Sequence, residues 1–173
     1  MITAEYLRSR LDYDPETGVF AWKAKPGGSR YADQWNDQFA GNRAGSPAKR
    51  GYRQIMIDDV NYREHRLAWL YVHGKFPEGS LDHKNLNRSE NWIDNLRPAT
   101  SSQNSANRSK TKQNKSGHKG VSWNRQKQKW DVRLTVAGRR IFLGAFDDVT
   151  EAALAYACAA AKHFGEFARF DGL

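Results

Sequence analysis

DHKNLNRSENWIDNLRPATSSQN, residues Asp82 to Asn104, is the stretch from which the rest of the chain can be interpreted. In-line cleavage of a phosphodiester needs a base to activate water, a cation against the phosphoryl oxygens and stabilisation of the leaving oxygen. His83 can be the base, since its ordinary pKa lies near neutrality and a partner on its other ring nitrogen can fix the tautomer. Asn95 is the candidate for that partner, and Asn91 competes for the role. Asp82 offers a hard carboxylate oxygen suited to Mg2+ or Mn2+, and beside His83 in a strand it points to the opposite side. Thr100 and Gln103 form a capping box, which predicts a short helix over Ser101 to Arg108 with Asn104 one turn in. There its amide oxygen can complete a site for one divalent ion, with Asn107, three positions on, as the alternative.

Towards the N-terminus, Ala4, Leu7 and Leu11 suggest a short helix. Asp14, Pro15 and Gly18 supply turn chemistry before a strand from Val19 to Trp22, so a hairpin region is expected there. Residues 25–46, rich in Gly, Asn, Gln and Asp, read as a long loop. Tyr52 to Ile57 and Val60 to Glu64 read as strands joined at Asp58 and Asp59. His65 to His73 shows one-face helical spacing and is stopped by Gly74.

Towards the C-terminus the charge changes character. The chain as a whole is +9, yet Arg97 to Arg140 carries twelve Lys or Arg against one acid, Asp131. Such a zone attracts a polyanion, and release of counterions from a phosphate backbone is its commonest use. Residues 107–117 have no apolar anchor and include Arg108, Lys110, Lys112 and Lys115, so a mobile basic connector is expected. Beyond it, apolar residues alternate in three strands: Val121 and Trp123; Trp130, Val132, Leu134 and Val136; Ile141 and Leu143. The opposite face then carries Ser122, Asn124, Lys129, Asp131, Arg133, Thr135, Arg140 and Phe142. Asp148 and Glu151 cap an alanine-rich helix running to Phe164.

The joint spacing around the DH pair resembles the ββα-metal HNH family, in the His-Asn-Asn variant of phage intron-encoded and freestanding homing endonucleases. An asparagine before an LR pair lies twelve positions after the histidine, and another lies twenty-one after it; here these are Asn95 and Asn104. The resemblance implies that Asp82 and Asn104 ligate one Mg2+ or Mn2+, that His83 is the general base and that Asn95 orients it. YREHRLAWLYVHGKFPEG and DYDPETGVFAWK look like the family's flanking elements. The stretch from Lys119 to Ala161 is similar to the APETALA-type DNA-binding domain of plant ethylene-response factors, which reads the major groove with its sheet. Carried over by position, Ser122, Asn124, Arg133, Thr135, Arg140 and Phe142 become DNA-facing, joined by Arg125 and by the cations Arg97, Arg108, Lys110, Lys112 and Lys115.

One cysteine, Cys158, excludes a disulfide framework and a paired-cysteine zinc site. No apolar run reaches membrane-span length, and no heptad pattern suggests a dimer or an obligate protein partner. The expected fold is α+β: an HNH domain over residues 1–108 including the N-terminal hairpin region, a basic linker over 109–116, and a three-stranded antiparallel sheet packed on one helix over 117–173. The expected activity is metal-dependent hydrolysis of double-stranded DNA by a cytoplasmic phage-type monomer. It would make a site-specific nick with 5′ phosphate and 3′ hydroxyl ends. A DNA-binding regulator with a dead site is the rival reading, and an RNA-directed protein is a third.

Overall fold

Local signals at the start of the chain are realised in the computed structural model, which describes residues 2–111 and 113–170. Contacts divide the chain into two units, Met1–Pro98 and Ala99–Leu173. In the first, Thr3 Oγ1 accepts from Tyr6 N and opens helix α1 (Ala4–Arg10), which buries Ala4 and Leu7. Strand β1 (Leu11–Tyr13) pairs antiparallel with β2 (Phe20–Trp22), Tyr13 opposite Phe20. Asp14 holds the connecting turn by accepting from Glu16 N and Thr17 Oγ1.

The loop expected over 25–46 is corrected. It contains helix α2 (Arg30–Phe39), capped by Ser29, whose Oγ accepts from Ala32 N at 3.1 Å. Ala32, Trp35 and Phe39 recur at helical spacing, and Trp35 stands edge-on to Trp22 at 5.7 Å between centroids. That periodicity outweighs the polar composition from which a loop was inferred.

Strands β3 (Ser46–Pro47), β4 (Arg53–Ile57) and β5 (Val60–Arg63) form a sheet in that order. The turn falls at Asp58 and Asp59, both in the left-handed region. Helix α3 (Glu64–His73) follows and ends on Gly74 at φ 74°. Strand β6 (Ser80–His83) pairs with β7 (Leu96–Ala99), enclosing the loop that bears the asparagines. Phe20, Leu7, Leu11, Ile55 and Leu67 centre the core beneath them. This core is what lets polar side chains of α3 and β6 be buried alongside it.

The second unit begins with α4 (Ser101–Ala106), where Thr100 and Gln103 cap each other reciprocally. Strands β8 (Val121–Asn124), β9 (Lys129–Val136) and β10 (Arg139–Phe146) make an antiparallel sheet in the order β10-β9-β8. Helix α5 (Val149–Phe164), capped by Asp148, packs Ala152, Tyr156 and Ala160 against Val121, Val132 and Leu134. The expected α+β class, with strand–loop–strand–helix followed by a sheet on one helix, is therefore observed.

Two expectations in this unit are corrected. Trp123, placed by alternation in the core, is 47% exposed and meets Trp130 edge-on across the strands. The register shifts between Phe142 and Gly144, so simple alternation also fails along β10, where Ile141 is exposed. Within and beside the expected connector, Asn114 Nδ2 donates to His118 O, Ser116 Oγ to Val121 O, and Lys119 Nζ to the carbonyls of Ala106 and Arg108. Lys112 lies outside the described residues. Among the described residues, no helix is long and apolar enough to cross a membrane.

Candidate active site

Strand β6 delivers Asp82 and His83 as consecutive buried residues, 3% and 4% exposed. Asp82 Oδ2 accepts from Arg97 Nε at 3.1 Å and Nη2 at 3.0 Å, the guanidinium coming from the paired strand β7. Arg97 was expected among the DNA-contacting cations. The structure corrects this: the residue is buried, and its fork orients the carboxylate beside the histidine.

Asn91 hydrogen-bonds His83, its Oδ1 lying 3.1 Å from Nε2. Asn95 serves the loop instead. Its Oδ1 accepts from Asn85 N at 3.1 Å, its Nδ2 donates to Glu90 O at 2.7 Å, and its carbonyl accepts from Lys84 N. It thereby ties down the backbone immediately after His83. Asn91, the competing residue, makes the contact to the imidazole.

Behind Asn91 stands Glu64, fully buried in the first turn of α3. Asn91 Nδ2 donates to Glu64 Oε1 at 3.2 Å, and Arg53 Nε donates to Glu64 Oε2 at 2.9 Å. Burial pushes the Glu64 carboxyl up, against the pull of Arg53 and Asn91. Burial likewise holds His83 below the ordinary histidine value, opposed by its contact with Asn91 and the charge of Asp82. His65, lying between Tyr52 and His83 with ring centroids at 5.2 Å from each and edge-on to His83, is driven by burial down to about 3. His65 is therefore neutral near pH 7, and burial favours the neutral ring at His83 too, the form that can accept a proton.

Glu64 was missed by sequence reasoning. An acid in a helix's first turn normally reads as a solvated partner of the helix dipole, and only its burial marks it out.

The N-terminal hairpin clamps the same loop. Tyr13 Oη donates to Asn91 O at 2.8 Å, and Ile93 N donates to Pro15 O at 3.1 Å. Gly18 sits at φ 72°, and a Cβ there would fall 2.2 Å from Trp92 N and 2.3 Å from the Asn91 carbonyl carbon. Only glycine permits this approach.

Of the other expected site residues, Asn104 lies on α4 in the second unit, half-buried, with Asn107 buried at the helix end. For a divalent ion the donor chemistry is that of hard oxygens. Among the described residues no three His, Cys, Asp or Glu come together. The carboxylate oxygens of Asp82 suit an ion such as Mg2+, which keeps several waters and takes further oxygens from a substrate phosphate.

On the sheet, Ser122, Arg125, Arg133, Thr135, Arg140 and Phe142 are exposed, as are Arg108, Lys110 and Lys115. Arg133 donates to the buried Asp131 at 2.9 Å, and its guanidinium and the Lys127 ammonium both lie near the Phe142 ring. Asn124 is engaged: its Oδ1 accepts from Gln126 N and Lys127 N, and its Nδ2 donates to Asp131. It caps the β8–β9 turn, which corrects its expected freedom to meet a base.

Comparison with known proteins adds an independent line. A family model described as HNH endonuclease matches residues 62–106, from β5 through α4. Protein 3.8 of Escherichia phage T7 is 34% identical over 109 residues, 62% of this chain and 89% of that protein. No solved structure matches the chain.

Proposed function

Since this chain belongs to the HNH endonuclease family and is a DNA-cleaving hydrolase, we propose that it nicks double-stranded DNA site-specifically, with His83 as general base. The observation that carries the reading is the buried Asp82-His83 pair, its carboxylate oriented by Arg97. His83 takes a proton from a water aimed at phosphorus, and the ends are a 5′ phosphate and a 3′ hydroxyl. Asp82 and, on the spacing argument, Asn104 are the oxygen donors that would hold one Mg2+ or Mn2+, which when bound neutralises phosphoryl oxygens and the leaving oxygen. Asn95 acts by holding the backbone at Lys84 and Asn85.

Residues 1–108 are read as the nuclease domain, 109–116 as a basic linker and 117–173 as a DNA-gripping module of APETALA-like type. Three antiparallel strands followed by one helix, with exposed Arg133, Thr135, Arg140 and Phe142, support that reading. A homing role, a monomeric state and action in the cytoplasm of an infected bacterium belong to the same proposal, the last in keeping with a relative from a phage. His83→Ala, incubated with supercoiled plasmid and Mg2+, tests it. Open circles vanish while DNA affinity is kept; nicking at the wild-type rate would refute the base assignment.

A further inference from the structure

The exposed face of the C-terminal sheet carries one acid where a polyanion would be met, and the inference drawn from it rests on the reading of residues 117–173 as the DNA-gripping module. Asp131 is the single acidic residue between Arg97 and Arg140, and it stands on the middle strand β9 among the exposed Arg133, Thr135, Arg140 and Phe142. Unlike them it is 2% exposed. Its cross-strand neighbours, Ser122 on β8 and Ala145 on β10, are small and leave room for longer side chains to close over it. Asp131 Oδ2 accepts from Asn124 Nδ2 at 3.1 Å and from Arg133 Nη2 at 2.9 Å, while Oδ1 is buried without a hydrogen-bond partner among the described residues. A buried carboxylate with one oxygen unbonded costs the fold free energy, and it also repels phosphate. Its explanation lies in the groups it holds rather than in stability.

The first of these is Arg133. An arginine side chain on a surface samples many rotamers, and one left to itself swings to the nearest phosphate, a contact made with any sequence. Here Nη2 is tied to Asp131, and the ring of Phe142, opposite Arg133 in the register, lies 5.8 Å from its guanidinium carbon. The side chain is still 44% exposed, so the planar fork is held and yet accessible. The second is Asn124, whose Oδ1 accepts from Gln126 N and Lys127 N, so that the same carboxylate oxygen steadies the β8–β9 turn and its cations. We infer that Asp131 is a positioning residue for sequence reading: it holds Arg133 away from phosphate and presents its remaining N–H donors to a guanine in the major groove. Guanine offers O6 and N7 there, the pair that an arginine fork matches. Asp131 acts through Arg133 and touches no base. It lowers the general attraction for DNA and raises the discrimination between sequences.

Fluorescence anisotropy of the full-length chain on labelled duplexes, in EDTA, tests this. The probes are a duplex of scrambled sequence and the duplex most enriched by the wild-type protein from a random-sequence pool. Asp131→Ala is expected to bind the scrambled duplex at least as tightly as wild type, with a salt slope steeper by up to about one counterion, because a negative charge has left the basic face. Its preference for the enriched duplex falls about 5- to 150-fold, the discrimination that one bidentate base contact supplies. Arg133→Ala loses the same preference, and the double variant loses no more than Arg133→Ala alone. Asp131→Asn, which keeps the shape and removes the charge, moves in the same direction and covers the case of an alanine variant that fails to fold. Changing one guanine of the enriched duplex to adenine weakens wild type and leaves Arg133→Ala unaffected. Wild-type preference in Arg133→Ala, or in both Asp131 variants, overturns the inference, as does a double variant whose losses add. Equal loss of affinity for both duplexes marks a purely structural role and overturns it too. Enrichment of no sequence by the wild-type protein overturns instead the reading of the sheet as a DNA reader, on which the inference rests.

Discussion

Gly18→Ala is the sharpest test of how the N-terminal hairpin supports the active-site loop. Two costs arise at this position. At φ 72° an L side chain crowds its own backbone, worth about 1–2 kcal/mol. The added methyl would also sit 2.2 Å from Trp92 N and 2.3 Å from the Asn91 carbonyl carbon. These are backbone atoms, with no rotamer to change, so the clamp must open, at about 1–3 kcal/mol by analogy with overpacked interiors. Together the loss is about 2–5 kcal/mol, or roughly 10–30 °C in melting temperature for a unit of about 100 residues. Gly41→Ala is the control: its φ of 76° is nearly the same, yet nothing lies within 4 Å of its Cβ position. Urea and thermal unfolding of both variants separate strain from steric conflict, with Gly41→Ala losing only the first part, about 1–2 kcal/mol. Nicking by folded Gly18→Ala should fall as well, because the displaced segment carries Asn91. Equal destabilisation by the two substitutions would refute the close approach of turn and loop.

Chelation with EDTA should abolish nicking and readdition of Mg2+ or Mn2+ restore it, while Asp82→Ala should respond to neither; activity retained in EDTA would contradict metal dependence. Arg140→Ala should weaken binding to preferred over random duplexes by roughly 1–3 kcal/mol in competition titrations if the side chain reaches a base, and by no difference at all if it touches only phosphate. Acid should destabilise the first unit: His65 is neutral in the fold, with its pKa at about 3, and titrates near 6.5 when unfolded. Its contribution is complete above the unfolded value and is lost as pH falls from there towards 3, at up to about 1.4 kcal/mol per pH unit. His83, lowered in the same direction, adds to that slope. His65→Phe should flatten the urea midpoint against pH; an unchanged slope would refute the burial of a neutral imidazole.

Features of short range were legible in the sequence. Thr100 and Gln103 cap α4, Asp148 caps α5, Gly74 ends α3 and the Asp58-Asp59 pair turns β4 into β5, because each acts on backbone groups within a few residues. The Asp82-His83 pair was legible for the same reason, a dipeptide whose chemistry is written in its residue types. What pairs with what was not. Arg97 looks like any cation in a basic stretch until β7 brings it to Asp82, fifteen positions away. Asn91 and Asn95 differ in sequence only by their place in one segment, and it is Asn91 that meets both His83 and Glu64, the latter twenty-seven positions upstream. Trp123 obeys the alternation of a buried face and is exposed, while Val121 on the same strand is buried in the cluster around the C-terminal helix. Capping, turn and periodicity are local energies that any short segment carries with it. The burial of a charge or the partner of an amide is settled only when distant segments close on one another, since its desolvation and its compensating bonds exist only in the folded packing.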